Sequence, residues 1–320
     1  MIDHHLARHA LSFAIDVGRL AVWLVLLVCI FVPLERLFAL HPAKIWRKQV
    51  GVDLAWYFIN SLFPAAIIAV PLLMLARALR GADPGGLYSA VALWPLWLKI
   101  PVVLLVSDFG SYWGHRALHV VPFLWRFHAI HHSAEELDWL VNSRAHPFDI
   151  VFTRMCALAP VYLLGLAQAS THRIDPVVAL VMVFGTIWTY FIHANIRWRF
   201  GPLEWLISTP AFHHWHHTND ENRDRNFASI FPVIDRVFGT AWLPKYWPPV
   251  YGIDAKVSPT VVGQFLDPMA PPARLGNRGN ETEAAAGNSG QPLPLAVPAA
   301  AAQVQGGPLM AASHQSSTHA

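Results

Sequence analysis

Five long apolar runs limit what this chain can fold into. They read AIDVGRLAVWLVLLVCIFVPLERLFAL (14–40), DLAWYFINSLFPAAIIAVPLLMLARAL (53–79), LYSAVALWPLWLKIPVVLLVSDFG (87–110), FDIVFTRMCALAPVYLLGLAQ (148–168) and DPVVALVMVFGTIWTYFIH (175–193). A helix needs roughly 20 apolar residues to cross the hydrocarbon layer, and each run supplies about that many. Inside lipid, backbone polar groups must be satisfied within the segment, which favours helices. With 54% hydrophobic and 13% charged residues, the chain is also too apolar for an ordinary soluble domain. The expected fold is an all-α, polytopic membrane bundle of four to five hydrophobic helices with a histidine-rich helical cap. Pro95, Lys99 and Pro101 interrupt the third run, so that segment should be broken or partly interfacial. The first run has no A-x-A-like cleavage pattern and exceeds a signal-peptide core, which predicts a retained helix.

Charge suggests an orientation. Lys44, Arg47 and Lys48 crowd the loop after the first run, which the positive-inside rule places in the cytoplasm. Counting crossings from there puts residues 112–147 and everything after His193 on the same cytoplasmic face. Arg77, Arg80 and Arg173 fall on the other side and count against it. Cys29 and Cys156 are the only cysteines, too few for a disulfide framework or a cysteine-based zinc site. No nucleic-acid motif is present. From about residue 268 the composition turns to Ala, Gly, Pro, Ser and Gln, which predicts a disordered low-complexity tail over 268–320. His314, His319 and the NET triplet at 280–282 receive no role there.

The histidines are patterned. HRALH sets His115 and His119 at i, i+4; HAIHH sets His128, His131 and His132 at i, i+3, i+4; HHWHH repeats that spacing with His213, His216 and His217. Residues three and four apart share a helical face, so each group presents two or three imidazoles in one direction. His193, at the end of the fifth run, can join as a ninth. Nine neutral imidazoles exceed what one ion takes up but suit two transition-metal ions with open positions. Imidazole serves Fe, Cu, Zn and Ni, so ligand type alone leaves the metal open. His214 could replace His213 if the third group is read as H-x-HH. His146, before Pro147, is either a supporting or a structural histidine. Trp215 points away from the histidine face and is expected to pack.

In this membrane setting, HRALH … HAIHH … HHWHH resembles the fatty acid hydroxylase/sterol desaturase superfamily of di-iron oxygenases. NSRAHPFD (142–149), FIHANIRWRFGPLEWLISTPAFHHWHH and NFASIFPVIDRVFGTAW (226–242) add to the likeness. It covers about 93–245; residues 1–92 contribute only membrane helices, and 93–250 is expected to be the catalytic domain. The resemblance implies iron ligands at His115, His119, His128, His131, His132, His193, His213, His216 and His217. Where the hydroxylase branch often carries a further histidine near His193, this chain has Asn195, which could act through a water.

Hydroxylating a lipid C–H bond is beyond any side chain, so a cofactor must carry it. The expectation is two iron ions, O2 as co-substrate and an external reductant, since no haem, flavin, nicotinamide or iron–sulfur motif is present. A separate electron-transfer protein would dock where Arg116, Arg126, Arg223 and Arg225 gather. Asp108, seven residues before His115, is the leading candidate to orient a ligand; Asp138, Asp149 and Asp220 follow, while Asp235 should fix a turn. A desaturase would share the same site. A membrane zinc hydrolase would want a glutamate inside a box, as in HExxH, and a haem electron-transfer protein would want single histidines deep within two helices.

Overall fold

The computed structural model describes residues 2–42, 44–79, 83–167 and 175–270. The expectations for residues 271–320, including 280–282, His314 and His319, lie outside that range, as do Arg80 and Arg173. The last described residues are packed: Asp267 and Pro268 are buried, and Arg126 donates to the Ala270 carbonyl.

Among the described residues the fold is all-helical, with two isolated backbone bridges and no strand. The principal helices are α1 (Ile2–Phe38), α2 (Val50–Ala78), α3 (Leu87–Ala92), α4 (Leu96–Val120), α5 (Pro122–His132), α6 (Pro147–Leu163) and α7 (Pro176–His193). Short helices α8 (Pro210–His216), α9 (Pro232–Val237) and α10 (Val261–Leu266) follow. Proline sets many of these starts. It opens α5, α6, α7, α8 and α9 at the first helical turn, where its missing N–H would have had no partner anyway. Side-chain caps reinforce three of them, from His146, Asp175 and Thr209.

Three of the five runs give helices long and apolar enough to cross a membrane: Ala7–Phe38, Val50–Leu72 and Pro176–His193. That is fewer than the four to five expected. The third run breaks at Pro95 into α3 and α4, and α4 carries Lys99, Asp108 and Arg116. The fourth yields α6, only 17 residues long. These two pack on each other instead: Gly110 and Gly114 of α4 lie against Cys156 of α6, and a Cβ at Gly114 would come within 2.8 Å of the Cys156 side chain. On α1, by contrast, Val22 and Val25 remain about 60% exposed (62% and 59%). An apolar helix face this open is of the kind that meets lipid tails or another protein.

Two of the apolar clusters among the described residues bind the long helices. Val103, Leu158, Val161, Val178 and Val181 join α4, α6 and α7. Leu27, Phe31, Tyr57, Trp139 and Tyr190 join α1, α2 and α7. The helix ends that matter share one side of the bundle. Leu40 N–H donates to the Asn195 carbonyl at 3.2 Å, linking the ends of α1 and α7. The Arg144 guanidinium reaches Asp53 near the start of α2. The C-terminal half of α4, the start of α6 and the end of α7 converge there too.

Candidate metal centre

The kink between the first two histidine groups is written in Val121–Pro122. A residue before proline is pushed from the helical into the extended region, and Val121 sits at φ −93°, ψ 113°. Helix α4 therefore stops, α5 folds back, and His128 Nε2 comes to 3.1 Å from His115 Nε2. Thr209, whose hydroxyl accepts from Phe212 N–H, starts α8 so that its histidines enter the same space.

The structure brings nine histidines into two adjoining groups, each tight enough to hold one ion. His115, His119, His128, His132 and His216 form the first; His131, His193, His213 and His217 form the second. All nine are buried. The groups touch through His132 and His217, whose rings stack with centroids 4.5 Å apart.

Most of these rings are held from behind. Nδ1 donates to a backbone carbonyl in His115 (Phe227, 2.8 Å), His131 (Arg144, 2.9 Å), His193 (Thr189, 2.7 Å) and His216 (Arg225, 2.8 Å). In His128 and His119 it donates to the carboxylates of Asp149 (2.7 Å) and Asp224 (2.8 Å). A carbonyl can only accept, so the ring proton lies on Nδ1 and Nε2 presents a bare lone pair. Such backing fixes tautomer and direction in metal-binding histidines.

Bare lone pairs then face one another. His115 and His128 meet Nε2 to Nε2 at 3.1 Å, as do His131 and His193. Their protons are committed to Nδ1, so no hydrogen bond can form between them, and the contact is repulsive without a cation. His213 and His217 approach His193 at 3.0 and 3.2 Å. With metal–nitrogen distances of about 2.1 Å, neighbouring ligands of an octahedral ion lie about 3.0 Å apart and those of a tetrahedral ion about 3.4 Å. The buried His216 Nε2 has no hydrogen-bond partner.

Burial first, and neighbouring imidazoles second, hold His132, His213, His216 and His217 well below the usual histidine range. The same causes bring His131 down to about 3. At neutral pH these rings are uncharged, the state that ligates metal.

The remaining expected residues lie elsewhere. His214 donates through Nε2 to the Ala194 carbonyl (3.1 Å), and its Nδ1 accepts from the Tyr251 hydroxyl (2.9 Å). Both ring nitrogens are occupied outside the two groups. His146 caps α6 by accepting from Phe148 N–H and stacks on Phe265. Asn195 closes on the His41 backbone through both side-chain atoms, at 3.0 and 2.7 Å, so it has turned away from the metal groups. Trp215 is fully buried and donates to the Tyr246 carbonyl.

Asp108 touches no histidine nitrogen. Its carboxylate accepts from three successive amides, Ser229, Ile230 and Phe231. Asp235 takes the amides of Phe227 and Ala228, fixing the turn, and Asn226 bonds Phe212 and Trp242. Together they pin the 226–231 segment, whose Phe227 carbonyl backs His115. Asp149, ranked behind Asp108 in the sequence, is the carboxylate that backs a histidine directly. Asp138 instead pairs with Arg47 at 2.6 Å.

Sequence reasoning missed two supports. Asp224 offered no helical spacing to betray it, since it sits in a loop at φ +65°. The second is a buried ion network, with Asp53 between Arg144 (2.5 Å) and Arg47 (2.6 Å), behind the Arg144 carbonyl that holds His131.

Residues 100–240 match the family model described as fatty acid hydroxylase. Over 181 residues the chain is 32% identical to an ornithine lipid hydroxylase, OlsE, of Rhizobium tropici, covering 56% of this chain and 51% of that protein. It is 30% identical over 161 residues to the alkylglycerol monooxygenase of Xenopus tropicalis, covering 50% and 33%. Against methylsterol monooxygenase 2-2 of Arabidopsis thaliana it is 29% identical over 152 residues, covering 46% and 54%. The chain thus spans between a third and about half of these relatives' lengths. No solved structure matches.

Proposed function

Because residues 100–240 belong to the fatty acid hydroxylase family, we propose that the chain is an O2-dependent membrane oxygenase that hydroxylates an unactivated C–H bond of a lipid. Nine histidines would hold two iron ions: five from the first group and four from the second. The observation that carries this reading is the pair of proton-free Nε2 approaches, His115 to His128 and His131 to His193, which only a cation relieves. Iron held there supplies the O2 reduction and hydrogen abstraction that side chains cannot. The relatives' names, hydroxylase and monooxygenase, favour iron over the zinc that the same imidazoles could bind.

The protein's own contribution is position and exclusion of water. A cavity of about 320 Å³ reaches His115, His128, His131, His193 and His213. Its far wall continues into the α6–α7 core through Leu158, Val181 and Met182, where an apolar chain can lie. Asp149 and the carbonyls of Phe227, Arg144 and Thr189 keep the rings from swinging as a substrate enters. No box contains a glutamate, and both aspartates lining the cavity, Asp108 and Asp149, are committed to hydrogen bonds. A hydrolytic general base is therefore wanting in the cavity wall.

Electrons come from a separate protein in this reading. The half-exposed segment 222–225 touches both metal-facing His119, through Asp224, and His216, through the Arg225 carbonyl. Arg116, Arg223 and Arg225 would give an acidic donor its landing face; Arg126 is taken by Ala270. The same face is assigned to the cytoplasm on the exposed Lys44 and Lys48, Arg47 being buried in its ion network. The domain bounds of 93–250 and the membrane topology belong to the same proposal.

Lipid mass spectrometry of cells with and without the chain, grown under isotopically labelled O2, tests it. A lipid gaining one labelled oxygen atom is the expected result. Loss of two hydrogens would make the enzyme a desaturase. Unchanged lipids alongside a protein that purifies with zinc and no iron would overturn the proposal.

A further inference from the structure

Among the described residues, Arg154 is the one Lys or Arg in the wall of the histidine-lined cavity. It lies on α6 five residues past Asp149, about 7.5 Å further along the helix axis. The ion pairs among the described residues employ Asp53, Asp138, Asp149, Asp224, Glu204 and other carboxylates with other cations, and none reaches Arg154. The two aspartates lining the cavity are already engaged. Asp149 accepts from His128 and Thr153, and Asp108 accepts from three amides. The electrostatic neighbour of Arg154 is the neutral Tyr190, whose hydroxyl meets that of Ser143 at 3.0 Å.

A charged side chain in an apolar helical bundle is costly, faces a cavity or partner, and marks a substrate path. Arg is also the side chain whose planar fork matches carboxylate and phosphate oxygens. We propose that Arg154 anchors an anionic group of the substrate, carboxylate or phosphate, inside this cavity. The cavity holds about ten water volumes, too little for a whole lipid. The segment it admits is therefore the one that joins the anion to the carbon presented to the histidines. That carbon lies on the order of 10 Å from the anionic group, given the helix rise, and not at the far end of a long acyl chain. The proposal rests on the cavity being the oxygenase's substrate site.

The test is binding to the full-length, iron-loaded protein in detergent, using dodecanoate, dodecyl phosphate and dodecanol as probes. Wild type should bind at least one anion at least tenfold more tightly than dodecanol. The better of the two anions identifies carboxylate or phosphate as the source. Arg154→Gln should lose that preference while binding dodecanol as before, and Arg154→Lys should restore part of it. Equal affinity of wild type for dodecanol and both anions would overturn the proposal, and that comparison needs no variant. So would an anion preference that survives Arg154→Gln in protein with full iron content. If anions bind through Arg154 but no lipid is ever oxidised, the anchor stands and the oxygenase reading fails. If lipids are oxidised without regard to anionic groups, the reverse holds.

Discussion

The two histidine groups are built from the same ligand but supported differently. In the five-histidine group, His128 and His119 lean on the carboxylates of Asp149 and Asp224, while His115 and His216 lean on carbonyls. In the four-histidine group, His131 and His193 lean on carbonyls alone, and His213 Nδ1 is buried without a partner. A carboxylate behind an imidazole raises its basicity and the hold of the metal in front. The first group is thus the stronger donor set. The second has fewer ligands and supplies three of the five histidines that line the cavity, His131, His193 and His213. One ion would be kept firmly; the other would keep positions open beside the substrate.

The bluntest way to break this comparison is to remove a ligand from each side. His128→Ala and His213→Ala should each reduce lipid oxidation to background if the proposed two-ion chemistry holds, because it needs both ions. Metal analysis should separate them, each variant losing the ion of its own group. A His213→Ala protein that keeps two irons and full activity would dissolve the division into two groups.

The next effect comes from behind the second group. Asp53 and Arg144 are almost wholly buried, with side chains 0% and 2% exposed. Removing one partner of a buried pair costs about 3–5 kcal/mol, since the other charge is left uncompensated. Asp53→Asn should lower thermal stability by that order. Its loss of metal should fall first on the four-histidine group, because the Arg144 carbonyl is what aims His131. Equal loss from both groups would show that the network supports the whole bundle and not one ion.

Much of this centre was legible in the sequence, and the rest was hidden for a physical reason. Residues on one helix declare themselves by spacing, so the boxes at 115–119, 128–132 and 213–217 could be read directly. His193 could be added from its place at a helix end. Supports contributed by loops have no period. Asp224 and the carbonyls of Phe227, Arg144 and Arg225 meet their rings only after the chain has folded. Helical phase even pointed the wrong way once. Asp108 does share a face with His115, yet three amides of the 229–231 loop claimed it first. The membrane helices show the same division. Hydropathy located five apolar runs, but only the packing of α4 on α6 through Gly110 and Gly114 separates helices that face protein from helices with open apolar faces.

The carboxylates behind the first group provide a finer comparison. Removing such a partner costs metal affinity roughly 10–100-fold. Asp149→Asn should fall near the top of that range, since Asp149 is buried and also accepts from Thr153. Asp224→Asn should fall near the bottom, because the Asp224 side chain is 36% exposed and water can take its place. Iron titration of the two purified variants reads the difference directly. Were Asp224→Asn the more damaging, the weight given to burial here would be wrong, and the 222–225 loop would matter more as a support for the metal than its exposure suggests.

The smallest expected effect settles how the third box is read. HHWHH offers two registers, one using His213 and the other His214, and only one can present a ring to the ions. His214 spends Nε2 on the Ala194 carbonyl and Nδ1 on the Tyr251 hydroxyl, so it ties α8 to the end of α7 without facing metal. His214→Phe puts a somewhat larger apolar ring there and removes both hydrogen bonds, although the Ala194 carbonyl keeps its second donor, Ile196 N–H at 2.7 Å. The two lost bonds cost about 1–3 kcal/mol together. The variant should melt somewhat earlier, carry two irons and oxidise lipid at close to the parent rate. His213→Phe, with the same change in shape, should lose an ion outright. The opposite pairing, iron lost with His214→Phe and kept with His213→Phe, would mean that α8 turns by one residue when metal binds and that the four-histidine group described here is a different set of four.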